Sequence, residues 1–500
     1  MAERYDAVIV GSGFGGAFTA LPLVEAGLRV LLIERGRPAA RDAGDWDPRR
    51  ILIEPRYRSD SPVGVRQYGA RQPTEHYPNE LLGGNSVLYG GASLRLRSTD
   101  FGGWPCSYDD LEPHYLRAEQ LLEVHGSAGA DPGEPSRSGP YPRAPIEPTA
   151  PAGRIRVAAG RLGLRPFPLP MAINFRDPTR PVCVLCNTCD GYPCRIEAKN
   201  DLASTVLRRA RNLGLEVRTG VVAARLVRRE SRVERLTCVD AVSGAALEFA
   251  AERFVVAAGA LHSPALLLRS GLAEASPGGR WIGRRLMRHC SAVIAGFFPG
   301  RTNPEGVFHK QLCVSDFYED LRGELGTATG TIQDVYTPAA VVVRQRAPAG
   351  LGTFAAWLSS RMQNLLCIAE DDPRPENAVS LTAERDRYGL EHARIDHEYT
   401  AADYRRRDYL AGHARRVLKA AGAWATRIHA IDTFSHGVGS VGMAESPEAG
   451  ALDPECRVWG LSNLWVTDGS CFPTSGGVNP SLTIAANALR VAPAILDASR

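Results

Sequence analysis

The stretch YDAVIVGSGFGGAFTALPLVEAGLRVLLIER, Tyr5 to Arg35, carries the reading of the fold. YDAVIV is an apolar, β-branched run that reads as a buried strand. GSGFGG follows, then apolar residues at helical spacing through AFTALPLVEAGL, then RVLLIER as a second strand. Strand, glycine turn, helix and strand within about thirty residues make the βαβ unit of a dinucleotide-binding domain. Gly11 permits the tight bend, Gly13 lets the backbone approach a pyrophosphate, and Gly16 lets helix and strand pack closely. The helix N-terminus then offers free N–H groups and the positive end of its dipole to the phosphates. Glu34, 23 residues after Gly11, closes the second strand where a carboxylate accepts ribose hydroxyls.

An acid at that place favours an unphosphorylated ribose, which disfavours NADP and leaves FAD and NAD. A second strand-turn-helix, RFVVAAGALHSPALLLRSG from Arg253 to Gly271, weighs toward FAD. Flavoproteins return a late strand to the nucleotide domain, with small residues such as Ala257, Ala258 and Gly259 passing close to the cofactor.

The bulk properties frame this unit. A chain of 500 residues suggests about two or three domains, and 44% hydrophobic with 23% charged residues is the balance of a globular protein. No apolar run reaches the ~18 residues of a membrane span. MAERYDAVIVGSG enters a strand without the basic and apolar regions of a signal peptide, so a cytoplasmic protein is expected. The net charge of +4 is small, the arginines are scattered, and Lys199, Lys310 and Lys419 are the only lysines, so no nucleic-acid groove is expected.

The organisation expected is a chain that leaves the nucleotide domain and returns to it. Residues 1–105 form its first part, 106–194 a substrate-side segment with a cysteine loop, and 195–290 its second part. Residues 291–428 form a substrate domain with an antiparallel sheet, and 429–500 the C-terminal part of the nucleotide domain. A helix is expected over DLASTVLRRARNLG, and a strand, turn and strand over LLCIAEDDPRPENAVSLTAE. The Pro-, Ser- and Gly-rich residues 127–150 read as an exposed connection. The fold class is α/β, a Rossmann-like FAD-binding domain plus an α+β substrate domain.

Six separated blocks resemble the glucose-methanol-choline (GMC) oxidoreductase family, in the family's order: GSGFGG with Glu34, LLGGNSVLYGGAS, WPCSYDDLEPHY, AAGALHSPALLLRSG, IGRRLMRH, and HGVGSVGM followed by RVWGLSNLWVTDGSCFPTSGGVNPSLTIAANAL. The segment 300–425 matches weakly. The resemblance implies FAD held between a nucleotide domain and a sheet-walled substrate domain, with a pair of side chains near flavin N5. That pair maps onto His436 and Asn479. Gly84, Asn85, Ala258 and Asp468 join Gly11, Gly13, Gly16 and Glu34 as the implied cofactor-binding set, with Asp468 at the position that contacts the ribityl chain. His289, in LMRH, matches a family histidine of structural more than catalytic standing.

The implied reaction explains the pair. Oxidising an alcohol removes a hydroxyl proton and sends the carbon-bound hydrogen to the flavin as hydride. A neutral imidazole at His436 takes the proton, and the amide of Asn479 donates to the developing alkoxide. The plainer readings of the two residues are a core histidine and an Asx-type turn before Pro480. Where some family members carry a flavin-linking histidine, this chain has Leu88 and Tyr89, so FAD is expected to be noncovalent.

The loop CVLCNTCDGYPC, Cys183 to Cys194, leaves three readings: an iron–sulfur or zinc site, a local disulfide, or cysteines packing a tight turn, with no metal expected. YGGASLRLRSTDF with CNTCDGYPC resembles the family's sugar-oxidising branch, which includes glucosaminyl 6'-oxidases of aminoglycoside biosynthesis. Asp334, Glu370 or Asp371 would suit an amino-sugar partner. The expectation is therefore oxidation of a sugar or aminoglycoside-like alcohol, with oxygen or another molecule as electron acceptor. No lid rich in exposed aromatic residues is read from the sequence, which speaks against a sterol or lipid alcohol as substrate. A lyase using flavin as a scaffold, or a flavoprotein without catalysis, would carry the same nucleotide-binding signature, but the presence of both His436 and Asn479 speaks against loss of catalysis.

Overall fold

The structure is a computed structural model that describes residues 3–54, 56–67 and 74–498. The strand Glu3–Val10 sits at the centre of the first sheet, flanked in parallel by Val30–Glu34 and Ala246–Val256. Ala7, Val8, Ile9 and Val10 are all buried, as a strand covered on both faces requires. Glu216–Thr219 extends the sheet beyond Val30–Glu34, and Leu464–Val466 pairs in parallel with the end of Ala246–Val256. A hairpin of Val221–Arg229 and Arg232–Asp240 occupies the earlier half of that long strand. The helix Phe14–Glu25 packs against the C-terminal helix Ser481–Asp497, so the last segment of the chain closes over the first βαβ unit.

A second sheet of six antiparallel strands runs in the order 425–430, 292–297, 362–369, 330–335, 312–314, 167–168. One face buries Ile294, Ile332, Leu365 and Cys367 against Leu410, Ala414 and Val417 of the long helix Ala401–Ala420. That helix starts at a capping box between Thr400 and Asp403. The strand alternation turns Thr331 and Gln333 to the opposite face, toward the C-terminal turn before Ser481. A third sheet pairs Ala378–Arg385, Glu391–His397, Val63–Gln67 and Thr74–His76.

Three expectations are refined here. The strands expected on either side of EDDPRPEN are both present, Met362–Ala369 and Ala378–Arg385, but they lie in different sheets, the second and the third. The intervening carboxylates hold other segments instead. The helix expected from Asp201 begins only at Val206, because Asp201 takes Ser204 N–H and Arg41 into a turn. Finally, residues between strands 330–335 and 362–369 form two short helices, Ala340–Arg346 and Gly352–Ser359, that expose Leu351, Phe354 and Trp357. These exposed apolar side chains depart from the expectation of no lid rich in exposed aromatic residues. Helical spacing in GTFAAWLS is ordinary, and its exposure is visible only once neighbouring elements are placed.

The loop cysteines form no disulfide, and among the described residues no three His, Cys, Asp or Glu side chains are placed to hold a metal. The loop is pinned by Lys199, whose buried ammonium donates to the carbonyls of Tyr89, Cys189 and Tyr192 at 2.7–3.0 Å. Asp190 pairs with Lys310 at 2.7 Å. Among the described residues no helix is long and apolar enough to cross a membrane.

Candidate active site

The glycine turn is shaped by segments distant in the chain. A Cβ on Gly11, at φ 100°, would lie 2.3 Å from the Ala257 carbonyl oxygen, and one on Gly16 1.9 Å from that of Gly11. Gly15, which the dinucleotide-binding spacing does not single out, is equally constrained: its Cβ would lie 2.5 Å from Thr467 O, so only glycine lets the C-terminal TDGS turn reach the first helix. Gly13 differs, since a Cβ there would meet nothing within 4 Å. Gly84 lies beside it, an added Cβ falling 3.1 Å from Gly13 Cα.

Glu34 closes a chain of hydrogen bonds across this space. Its carboxylate accepts from Ser12 N–H at 3.0 Å, from the Ser12 hydroxyl and from Gly36 N–H at 2.8 Å, while Ser12 Oγ accepts from Gly83 N–H at 2.8 Å. Burial pushes the Glu34 carboxyl upward, and the donors at Ser12 and Gly36 oppose it. Asn85 is exposed and accepts from Asn79 at 3.3 Å. Ala258 N–H donates to Ser263 Oγ at 2.9 Å.

Asp468 is held from both sides by protein donors. One carboxylate oxygen accepts from Gly259 N–H at 2.8 Å and the Ser263 hydroxyl, the other from Ser470 N–H at 2.8 Å and the Ser470 hydroxyl. With four protein donors on a 4% exposed side chain, Asp468 braces two turns together.

The turn 475–479 is pinned residue by residue. Ser475 Oγ donates to Asp371 at 2.8 Å, Gly476 N–H to Glu370 at 3.2 Å, and Gly477 N–H to Tyr318 Oη at 3.0 Å. Asn479 Oδ1 accepts from Gln333 Nε2 at 2.8 Å. Asp371 also accepts Arg288 N–H and His289 N–H at 2.8 and 3.0 Å, and Glu370 accepts Ala328 N–H at 2.7 Å. Asp334 accepts the N–H groups of Gln311 and Leu312. These three carboxylates, expected as amino-sugar partners, are buried ties between backbone segments.

His436 and Asn479 lie together, with Asn479 Nδ2 3.5 Å from His436 Nε2. His289 joins them: its Nδ1 lies 3.0 Å from His436 Nδ1, and its Nε2 lies 3.1 and 3.0 Å from the carbonyls of Ser475 and Gly476. Backbone carbonyls only accept, so His289 Nε2 carries the proton. Burial drives the His289 pKa down to about 4, so the ring is neutral and its Nδ1 is a lone pair. His436 Nδ1 must then donate, and His436 Nε2 is left as a lone pair facing the amide of Asn479. His289 sits at φ 60°, in the left-handed backbone region. Burial, then His289 and Lys310, push the His436 pKa well below its ordinary value.

Models of the GMC oxidoreductase family match residues 6–291 and 373–488. The chain belongs to the GMC oxidoreductase family. It is 32% identical to 6'''-hydroxyparomomycin C oxidase of Streptomyces lividus, over 99% of this chain and 92% of that protein. It is 31% identical to paromamine 6'-oxidase of Streptomyces fradiae, over 98% and 91%. Pyridoxine 4-oxidase from Mesorbium loti shares the fold, with a TM-score of 0.68, 21% identity and 98% coverage of both chains. As a GMC enzyme, the protein is an FAD-dependent oxidoreductase acting on CH–OH donors.

The GMC chain fits FAD at the glycine turn. The open space over Gly13, bounded by Gly84 and without a side chain at either, suits a pyrophosphate, and Glu34 stands at the strand end where a ribose is read. Gly259, at φ 82° with nothing within 4 Å of an added Cβ, leaves the second turn open in the same way.

Proposed function

We propose that the protein oxidises a primary or secondary hydroxyl of a sugar or aminoglycoside-like metabolite, with His436 as general base and Asn479 as donor to the developing alkoxide. The observation that carries this reading is the hydrogen-bond chain from the Ser475 and Gly476 carbonyls through His289 to the lone pair of His436 Nε2. Bound FAD supplies the hydride acceptor. His436 Nε2 receives the hydroxyl proton, His289 holds the imidazole in the required tautomer, and Gln333 keeps Asn479 Nδ2 turned toward the same space. Oxygen or another molecule then serves as the terminal acceptor.

Support for a sugar comes from the two aminoglycoside oxidases and from amide oxygens on the sheet face that carries Gln333. Gln333 Oε1 and Asn364 Oδ1 are buried without a hydrogen-bond partner among the described residues, and alternation places both on the sheet face that looks toward Asn479. Such acceptors suit hydroxyl or amino donors. The exposed Phe354 and Trp357 favour a second reading, an apolar alcohol such as a sterol. Anaerobic bleaching of the flavin absorbance across sugars, aminoglycosides and sterols decides between them: reduction by sterols alone rejects the sugar reading.

Acid precipitation should release all flavin into the supernatant, since Leu88 and Tyr89 offer no histidine for linkage; flavin retained on the washed precipitate contradicts noncovalent binding. Glu34→Ala should lower the flavin-to-protein ratio after gel filtration, and unchanged occupancy would remove Glu34 from the cofactor site. His289→Leu should slow kcat by about 10–10²-fold, the usual cost of losing a group that orients a functional histidine. His289→Gln should restore much of that loss, because its amide can accept from His436 Nδ1 and donate to the carbonyls. Equal losses in both variants would make His289 a packing residue.

A further inference from the structure

Arg288 precedes His289, and its side chain is buried, 4% exposed, with Nε and Nη1 lacking any hydrogen-bond partner among the described residues. Its guanidinium carbon lies 4.5 Å from the Phe434 ring centre and 5.1 Å from that of Tyr399. His397 packs on the same two rings, at 4.8 Å from Tyr399 and 6.1 Å from Phe434. It is 1% exposed, and neither ring nitrogen has a hydrogen-bond partner among the described residues. His76 stacks edge-on to Phe434 at 5.3 Å. Adjacent buried side chains that leave four nitrogens unpartnered are uncommon, because each unmade hydrogen bond costs about 1–3 kcal/mol.

Nearby groups do not discharge this place. Asp371, the nearest carboxylate, is 4.0 Å from His397 Nε2, beyond hydrogen-bond range, and its oxygens already serve Arg288 N–H, His289 N–H and Ser475. The Tyr399 hydroxyl donates to His289 O at 2.7 Å. Burial and then positive neighbours, Arg288 and Arg374 at one ring and Arg58 and Arg288 at the other, hold His397 at about 3 and His76 at about 4.

We propose that Arg288 and His397 form a binding site for a small monovalent oxyanion of carboxylate size, separate from the His436–Asn479 pair. The donors present are the Nε–H and the two N–H bonds of Nη1 on Arg288 and the single N–H of a neutral His397; they point in different directions and can be shared between the oxygens of one small oxyanion. Both histidines stay neutral, and Arg288, with Arg374 and Arg58 as further positive neighbours and Asp371 opposing them, supplies the positive charge that an anion meets. The rings of Phe434 and Tyr399 shield the ion from water and strengthen the pairing.

Thermal denaturation of the holoenzyme in rising sodium formate, at constant ionic strength set with a bulky organic salt, tests this. Wild type should gain about 1–2 °C in Tm at roughly ten times the dissociation constant, along a saturating curve. Arg288→Gln and His397→Leu should each abolish the formate-dependent part. An equal rise in all three proteins, or none in wild type, overturns the proposal. Should a variant fail to fold, bromide-soaked crystals of wild type give an independent answer: an anomalous peak between Arg288 and His397 supports the site, and peaks only elsewhere overturn it.

Discussion

His436→Ala should slow flavin reduction by the substrate about 10²–10⁴-fold, the contribution of a positioned general base. The tautomer sequence gives the reason. Protons on His289 Nε2 and His436 Nδ1 leave a single lone pair, on His436 Nε2, facing Asn479. Alanine removes the only acceptor the pair offers to a hydroxyl proton. The pH dependence follows with its sign. His436 works as a base only when neutral, and burial lowers its pKa well below the ordinary value of about 6.5. The acid limb of kcat/KM should therefore fall well under pH ~6.5, not near neutrality as an unshifted imidazole would give. That limb should vanish in His436→Ala. Single-turnover stopped-flow reduction across pH measures both effects. An alanine variant that keeps wild-type rate and the same limb would place the base elsewhere.

What the sequence shows and what it conceals divide by range. The βαβ unit is legible because most of its signals are local: Gly11 by its φ of 100° and Gly16 by its closeness to Gly11 O are needed by their own turn, though Gly11 also clears the distant Ala257 O, and Ala7 to Val10 form one apolar run. Gly15 is concealed, since the atom it must avoid, Thr467 O, lies at the other end of the chain. The run through Glu370 and Asp371 shows two strands by period but not their partners. Those are set by N–H groups at Ala328, Arg288, His289 and Gly476 that the two carboxylates collect. His436 and Asn479 are found by resemblance, whereas Gln333, 146 positions from Asn479, has no local signature. His289 is ranked as structural by its resemblance to a family histidine, and nothing local in LMRH reveals a ring aimed at His436.

The separation between Asn479→Ala and Asn479→Asp tests the remaining half of the pair. If Asn479 Nδ2 donates to the alkoxide, alanine should cost about 10²–10³-fold in the reductive rate, with little change in substrate binding. Gln333 fixes the direction of that donor by engaging Oδ1 at 2.8 Å, and the adjacent Gly476 and Gly477 admit no side chain: a Cβ would lie 2.2 Å from Leu96 and 2.7 Å from Gly330. The amide therefore needs no reorganisation when charge develops. Aspartate retains the shape and the bond from Gln333 but reverses the interaction, presenting an acceptor where a donor is needed. It also brings a negative charge to within about the 3.5 Å that separates the amide from His436 Nε2, which favours the protonated imidazole. Asn479→Asp should thus be slower than Asn479→Ala, with its acid limb moved to higher pH than wild type, while Asn479→Ala keeps the limb in place. An aspartate variant faster than alanine, with an unmoved limb, would show that Asn479 only shapes the turn before Pro480 and that the alkoxide finds its donor elsewhere.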